Sequence, residues 1–347
     1  MEHASNESKR ILVSVVICAY NRKDFIHNAI KSVQNQNFDM RCLEIVIVTN
    51  YEIEKFNELM ADSNCDIKIL KGYDEPLGLY YTRAINSARG SIISFLDDDD
   101  EFSPEKLNYI VDEFNKDSNL VFVNNDVHII DSQEIQLSAM DNDFRFRSGR
   151  TKSLFLNIKK SNDCYNAIRK HGNFCNSSIS IKTSNIKEYI DQLKDVSGAE
   201  DDFLFFSSLF SGGNMLISEK RLTYYRIHNQ NKSTYVKIDL DQAMQRMQLE
   251  MPKALNALKL SLLTLNNRKE LQPNCCYNAL VIYYEILEQF SSKCFIRSKM
   301  IHLVIKYIKT KPWKLSSSHR NALLIGIFSI ISIGISRSIY KNFGLKK

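Results

Sequence analysis

Short apolar runs and helix-like patterns take turns along the first 125 residues. The runs at 11–18, 43–49, 67–70, 91–96 and 120–123 are rich in Val, Ile and Leu at nearly every position, as strands covered on both faces are. Between them, residues 24–33, 52–60, 79–88 and 105–114 repeat apolar positions at helical spacing. Strand and helix in alternation predict an α/β fold with a mostly parallel sheet and flanking helices. From 126 to 235 the pattern is irregular, with loops of Asn, Ser and Asp around a segment at 197–213 and a strand-like run at 221–227. Loops on a rigid scaffold commonly carry function. From about 239 the pattern turns helical, at 242–265, 278–290, 297–308 and 321–340. These shifts divide the chain into a polar tail (1–10), a domain (11–235) and a helical extension (236–347).

Composition keeps that picture within ordinary globular proteins: 347 residues, 44% apolar, 25% charged, 11 Gly and 5 Pro. The eight cysteines are scattered without a C-x-x-C and sit mostly in apolar runs, so they read as buried thiols of a reducing compartment. The N-terminus lacks the apolar core and cleavage site of a secretory signal, which points to the cytoplasm. Charge changes the picture more. The last acid is Glu288, and residues 291–347 carry twelve bases, so a net charge of +6 conceals a body of −6. Body and extension are built for different partners.

The most informative motif is Asp97-Asp98-Asp99-Asp100 directly after an apolar strand. Ligands in open α/β sheets bind beyond the carboxyl ends of strands. Adjacent carboxylates repel unless water or a cation lies nearby, and hard oxygen donors favour Mg²⁺ or Mn²⁺, ions that bridge to substrate phosphates. The simpler alternative is a solvated acidic turn before the helix that starts near Pro104. An EF-hand is excluded by its missing Gly and Glu, and no G-x-x-x-x-G-K or G-x-G-x-x-G occurs. A bound nucleotide diphosphate would therefore be neutralised by a metal, not by a backbone cradle.

A second motif, Glu200-Asp201-Asp202, opens an apolar helical run. Such acids complement a helix dipole, and one of them could equally be the base that deprotonates an acceptor hydroxyl. A third, Tyr225-Arg226-Ile227-His228, puts Arg and His at alternate positions of a strand, suited to a diphosphate or its metal.

Taken together with Ser14-Val15-Val16-Ile17-Cys18-Ala19-Tyr20-Asn21-Arg22, Ser32-Val33-Gln34-Asn35-Gln36 and Pro104-Glu105, these motifs resemble the family 2 glycosyltransferases of the GT-A fold, over roughly residues 11–235. The resemblance implies a nucleotide-sugar half (11–125) and an acceptor half (126–235). It implies that Ala19, Tyr20 and Arg22 line the nucleotide pocket and that Asp97 and Asp99 are the D-x-D positions, with Asp98 beside the nucleotide. It makes Asp201 the catalytic base, flanked by Glu200 and Asp202, and has Arg226 and His228 close over the diphosphate, with His228 at the metal. Where the family usually has an Asp pair after the second strand, this chain has Thr49-Asn50, which exchanges a charged contact for hydrogen-bonding ones. Arg83 falls two positions late for the family's arginine.

The implied reaction is inverting and uses Mn²⁺ or Mg²⁺. A hexose, with UDP-glucose or UDP-galactose as the expected donor, would pass to an undecaprenyl-diphosphate-linked saccharide, forming a β-linkage in O-antigen or capsule repeat units. Two alternatives stand beside it: a nucleotidyltransferase acting on a sugar phosphate, and a non-catalytic, membrane-associated nucleotide-sugar-binding protein. The uncharged run 321–336 contains Gly and Ser and is too short to span a bilayer. Either it is a helix buried against the catalytic domain, or, with its basic surroundings at 315–347, it lies on anionic lipid. The second reading is the expectation, with 291–347 on the inner face of the cell membrane. Nucleic acid is not an expected partner, because no groove-reading element is visible.

Overall fold

The computed structural model describes residues 11–53, 64–137, 149–157, 175–228, 240–263, 275–291, 295–309 and 326–327. Most of the helix expected at 52–60 and most of the one at 321–340 lie outside these residues. The strands are β1 (Val13–Ala19), β2 (Leu43–Thr49), β3 (Asp66–Lys71), β4 (Ile92–Asp97), β5 (Glu101–Phe102), β6 (Leu120–Asp131), β7 (Leu154–Asn157), β8 (Ile179–Lys182) and β9 (Asn214–Ile227). The helices are α1 (Ile26–Gln34), α2 (Leu77–Ser87), α3 (Lys106–Lys116), α4 (Thr183–Lys187), α5 (Ile190–Leu193), α6 (Glu200–Phe210), α7 (Leu240–Leu263), α8 (Cys275–Ser291) and α9 (Arg297–Lys309).

One sheet runs in the order β3-β2-β1-β4-β8-β6-β9-β5, with β7 also on β9. Its first four strands are parallel. Beyond β4 it is mixed, since β8 is antiparallel to both β4 and β6 while β6 and β9 run parallel. Antiparallel neighbours need no crossover helix, which is why the regular alternation of the sequence lapses there. The expected division at 125/126 falls inside β6, and the same sheet carries the residues on both sides of it.

The apolar strands follow from two cores. Val13, Val15, Ile17 and Ala19 of β1 enter one, with α1 and α3, while Val16 enters the other, with α2 and α6. α1 turns Ile26, Ala29, Ile30 and Val33 inward at helical spacing. α6 has no polar stripe: Phe203, Leu204, Phe205, Phe206 and Leu209 are buried between the sheet and α7, whose Ala257 and Leu258 join the same core. α2 lies against the chain after α5 at Gly78, whose N–H donates to Val196 O (3.1 Å) and where a Cβ would strike the Leu193 carbonyl. Gly326 rests on Val304 and Met300 of α9 and Ile286 of α8. At that point the chain is buried among helices of the extension itself. Among the described residues no helix is long and apolar enough to cross a membrane.

Candidate functional site

The chain leaves β1 for β2 and β3 on one side and returns to β4 on the other. The crevice at such a switch point, beyond the carboxyl ends of the strands, is where open sheets bind ligands. Ala19–Arg22 and Asp97–Asp100 meet there. Asn21 takes φ 59° in the turn after β1, and its N–H donates to Asn50 Oδ1 (3.1 Å) while Asn50 Nδ2 donates back to Asn21 Oδ1 (2.7 Å). Thr49, the last residue of β2, pairs in register with Ala19. The expected nucleotide residues Ala19, Thr49 and Asn50 thus share one rim with Tyr20, whose hydroxyl bonds Asp74. Arg83 lies on α2 with its guanidinium on Glu75 and over the Tyr73 ring.

After β4 the chain turns sharply, Asp100 N–H donating to Asp97 O (3.2 Å), and β5 then pairs antiparallel with Thr223 and Tyr224 of β9. This pairing brings residues remote in sequence to the acidic turn. Arg22 forms ion pairs with Asp98 and Asp99, and His228 Nε2 lies 3.0 Å from Asp99 Oδ2. The Phe25 ring supports both His228 (4.9 Å between ring centroids) and the Arg226 guanidinium (4.7 Å). Arg226 itself is 0% exposed: its backbone N–H donates to Asp100 Oδ1 (2.8 Å), its Nε to Asp99 O (2.9 Å) and its Nη1 to Asp131 O (3.2 Å), and it pairs with Glu101. This buried guanidinium braces the acidic turn.

Carboxylate oxygens of Asp97, Asp99 and Asp100 lie within 4.8 Å of one another. Burial, then repulsion from Asp99 and Asp97, holds the Asp100 carboxyl well above the ordinary range. Burial also pushes Asp98 up to about 7, against the pull of Arg22, and its Oδ2 is buried with no hydrogen-bond partner. The turn thus confines more negative charge than its cations relieve, and its hard oxygen donors fit Mg²⁺ or Mn²⁺. Both Asp100 oxygens are engaged, Oδ1 by the Arg226 backbone N–H (2.8 Å) and Oδ2 by Ser177 Oγ (2.5 Å).

Ser177, Lys106 and Phe25 are site residues that the sequence reading missed. Ser177 Oγ accepts from Asp97 N–H (2.9 Å), and its carbonyl accepts from the Lys106 ammonium and from Thr223 Oγ1 (2.9 Å). Lys106 is fully buried, donates also to Thr223 Oγ1 (3.1 Å) and lies 3.7 Å from the Phe102 ring centroid. Burial pulls its pKa down to about 7. One signal was available: Lys106, Ile110 and Phe114 recur at helical spacing on the buried face of α3, a position where a lysine is out of place.

Glu200, Asp201 and Asp202 begin α6, after Gly198 (φ 142°) and Ala199 (φ 59°) reverse the chain. Asp202 N–H donates to Asp201 Oδ1 (2.9 Å). Burial, followed by the neighbouring Asp202, raises the Asp201 carboxyl well above the ordinary range, and Asp97 adds to the shift. Both Asp97 and Glu200 raise Cys18 at the end of β1 after burial does, so the two acidic groups share the space above β1 and β4.

The family model described as Glycosyl transferase family 2 matches residues 14–173. A Haemophilus influenzae protein named as an uncharacterized glycosyltransferase is 25% identical over 231 residues, 65% of this chain and 68% of its own length. An Escherichia coli protein named UDP-Glc:alpha-D-GlcNAc-diphosphoundecaprenol beta-1,3-glucosyltransferase WfaP is 25% identical over 224 residues, 62% of this chain and 78% of its own. Among solved structures, Staphylococcus aureus TarS 1–349 in complex with UDP superposes with a TM-score of 0.57 at 13% identity, covering 97% of this chain and 92% of that one. That likeness establishes the GT-A fold.

Proposed function

From a chain that belongs to glycosyl transferase family 2 and is a glycosyltransferase, we propose an inverting transfer of a hexose from UDP-glucose or UDP-galactose to a lipid-linked saccharide. The observation that carries this reading is the opposition of two unlike acidic groups at one strand end: a turn of confined carboxylates and a raised carboxyl, Asp201, whose fields overlap. Asp97 and Asp99, with His228 at Asp99, would hold Mn²⁺ or Mg²⁺. When bound, the ion supplies positive charge to the departing diphosphate. The chain's own residues do the rest. Ala19, Tyr20, Thr49 and Asn50 line the nucleotide end. Arg22 holds Asp98 and Asp99 in place, and Arg226 and Ser177 fix the turn from behind.

Asp201 takes the proton from the acceptor hydroxyl as that oxygen attacks the anomeric carbon and the bond to the diphosphate breaks. A raised pKa suits a base that must work near neutral pH, while Glu200 and Asp202 keep it raised. One displacement inverts the centre, so an α-linked donor yields a β-glycoside. The WfaP name, with its diphosphoundecaprenol acceptor, and the basic extension support an undecaprenyl-diphosphate-linked acceptor at the inner face of the membrane. UDP release is the test, across UDP-, GDP- and dTDP-sugars, with and without Mn²⁺, on a synthetic N-acetylhexosaminyl diphospho-lipid. Consumption of a UDP-sugar only with metal and acceptor is expected. Turnover that persists in chelator would overturn the metal assignment, and an α-configured product would overturn inversion.

A further inference from the structure

α9 is apolar on two adjacent faces. Met300, Leu303, Val304 and Tyr307 are buried, and Gly326 packs on Val304 and Met300 there. Beside them, Ile301, Ile305 and Ile308 point outward, 38%, 52% and 43% exposed. At helical spacing these three fall within an arc of about 60°. Arg297 flanks the stripe on one side, and Lys309, Lys306 and Lys299 flank it on the other, all exposed. Single exposed isoleucines are unremarkable, whereas a stripe along one helix implies an occupant.

Charge selects among occupants. Residues 291–347 contain twelve bases and no acid, so the same face of a second copy would meet it with like charge. A nucleic acid would satisfy the lysines and leave the isoleucines in water. The apolar run at 321–336 is the obvious internal candidate, yet at Gly326 it occupies the other face. Apolar side chains in a row, rimmed by cations, match the boundary between headgroups and acyl chains of an anionic bilayer.

We propose that the outward face of α9 docks on anionic lipid, with Ile301, Ile305 and Ile308 entering the headgroup boundary and Arg297, Lys299, Lys306 and Lys309 on the phosphates. This moves the membrane contact away from 321–336. It extends the lipid-linked acceptor proposed above, but is read from α9 alone. A helix held against α8 and, through α8 and α7, linked to α6 would set the acidic crevice at a fixed height above the bilayer.

The test is flotation of the full chain with vesicles of phosphatidylcholine alone and of phosphatidylcholine mixed with phosphatidylglycerol. The wild-type chain is expected to float with the anionic vesicles only, and less so as salt is raised. The triple variant I301S/I305S/I308S is expected to remain at the bottom with an unchanged melting temperature. Should that variant melt early, K306Q/K309Q decides the matter: it should partition about thirtyfold more weakly if each lysine contributes on the order of 1 kcal/mol. Equal flotation with neutral vesicles, or unchanged partitioning of the variant that folds, overturns the proposal. Vesicle binding without sugar-nucleotide turnover upholds the docking and sinks the transferase reading instead.

Discussion

The two acidic groups at the switch point look alike in sequence and are built in opposite ways. Asp97–Asp100 sits on a turn surrounded by donors from distant strands: Arg22 after β1, Ser177 before β8, and Arg226 and His228 at the end of β9. Glu200–Asp202 sits at the start of a buried helix, where the Asp202 N–H donates to Asp201 Oδ1 and the helix dipole favours the acids. Carboxylates fixed from several sides cannot spread apart when charge accumulates, so they suit a cation. A carboxyl raised by burial at a helix start is poised to accept a proton.

The change that breaks this contrast most severely is Asp201→Asn. It keeps shape and removes the proposed base, so turnover should fall by about 10²–10⁴-fold while UDP-sugar affinity, read by calorimetry, stays near wild type. In the intact enzyme the acid limb of kcat/KM should lie above the ordinary carboxylate range, in the direction of the Asp201 shift. A limb near 4, or an active asparagine variant, would assign the base elsewhere.

Asp99→Asn attacks the other group. With one charge removed between Arg22 and His228, the variant should fold, lose turnover by about 10²–10³-fold and lack the rise in melting temperature expected of the wild type with Mn²⁺ and UDP. A rise that survives would take Asp99 out of the metal site.

How far the sequence foretold these two groups depends on range. Both acidic runs, the strand before the first and the helix after the second are local features, legible as hydrophobic periodicity interrupted by charge. β1, β2 and β4 were legible as runs buried at nearly every position, and α1 and α3 as faces buried at helical spacing, whereas β3 at the sheet edge is mostly exposed. What surrounds the first group was not. β5 is two residues long and exists only because β9 pairs with it, and no pattern marks Ser177 as the hydroxyl that joins Asp97 to Asp100. The partners of Arg226 were not legible either, because alternation along a strand gives a face and not what covers that face.

Arg226→Met sharpens the comparison by removing a brace and leaving the acids. Glu101 and the Asp99 and Asp131 carbonyls lose their buried partner while the backbone N–H to Asp100 remains, and stripping one member from a buried ion pair costs about 3–5 kcal/mol. The expected loss is in stability, measured by urea unfolding, with the Glu200–Asp202 end of α6 unaffected in hydrogen exchange. A variant as stable as wild type would show that the turn holds its own shape.

The smallest effect belongs to Lys106 and is a slope. Its pKa falls from 10.5 to about 7 on folding, because burial disfavours the ammonium. Between those values the unfolded chain binds a proton that the folded one does not, so stability rises with pH across that window. Below about 7 both states are protonated and the burial penalty is present in full; above 10.5 both are neutral and it is gone. Lys106→Met should remove up to about 1.4 kcal/mol per pH unit of that slope and flatten the urea midpoint between pH 7 and 10. The lost bonds to Ser177 and Thr223 lower the whole curve but not its slope. A slope unchanged by the substitution would mean that the ammonium stays charged behind the acidic turn, held there by Asp100, and that the first group owns one more cation than its ion pairs reveal.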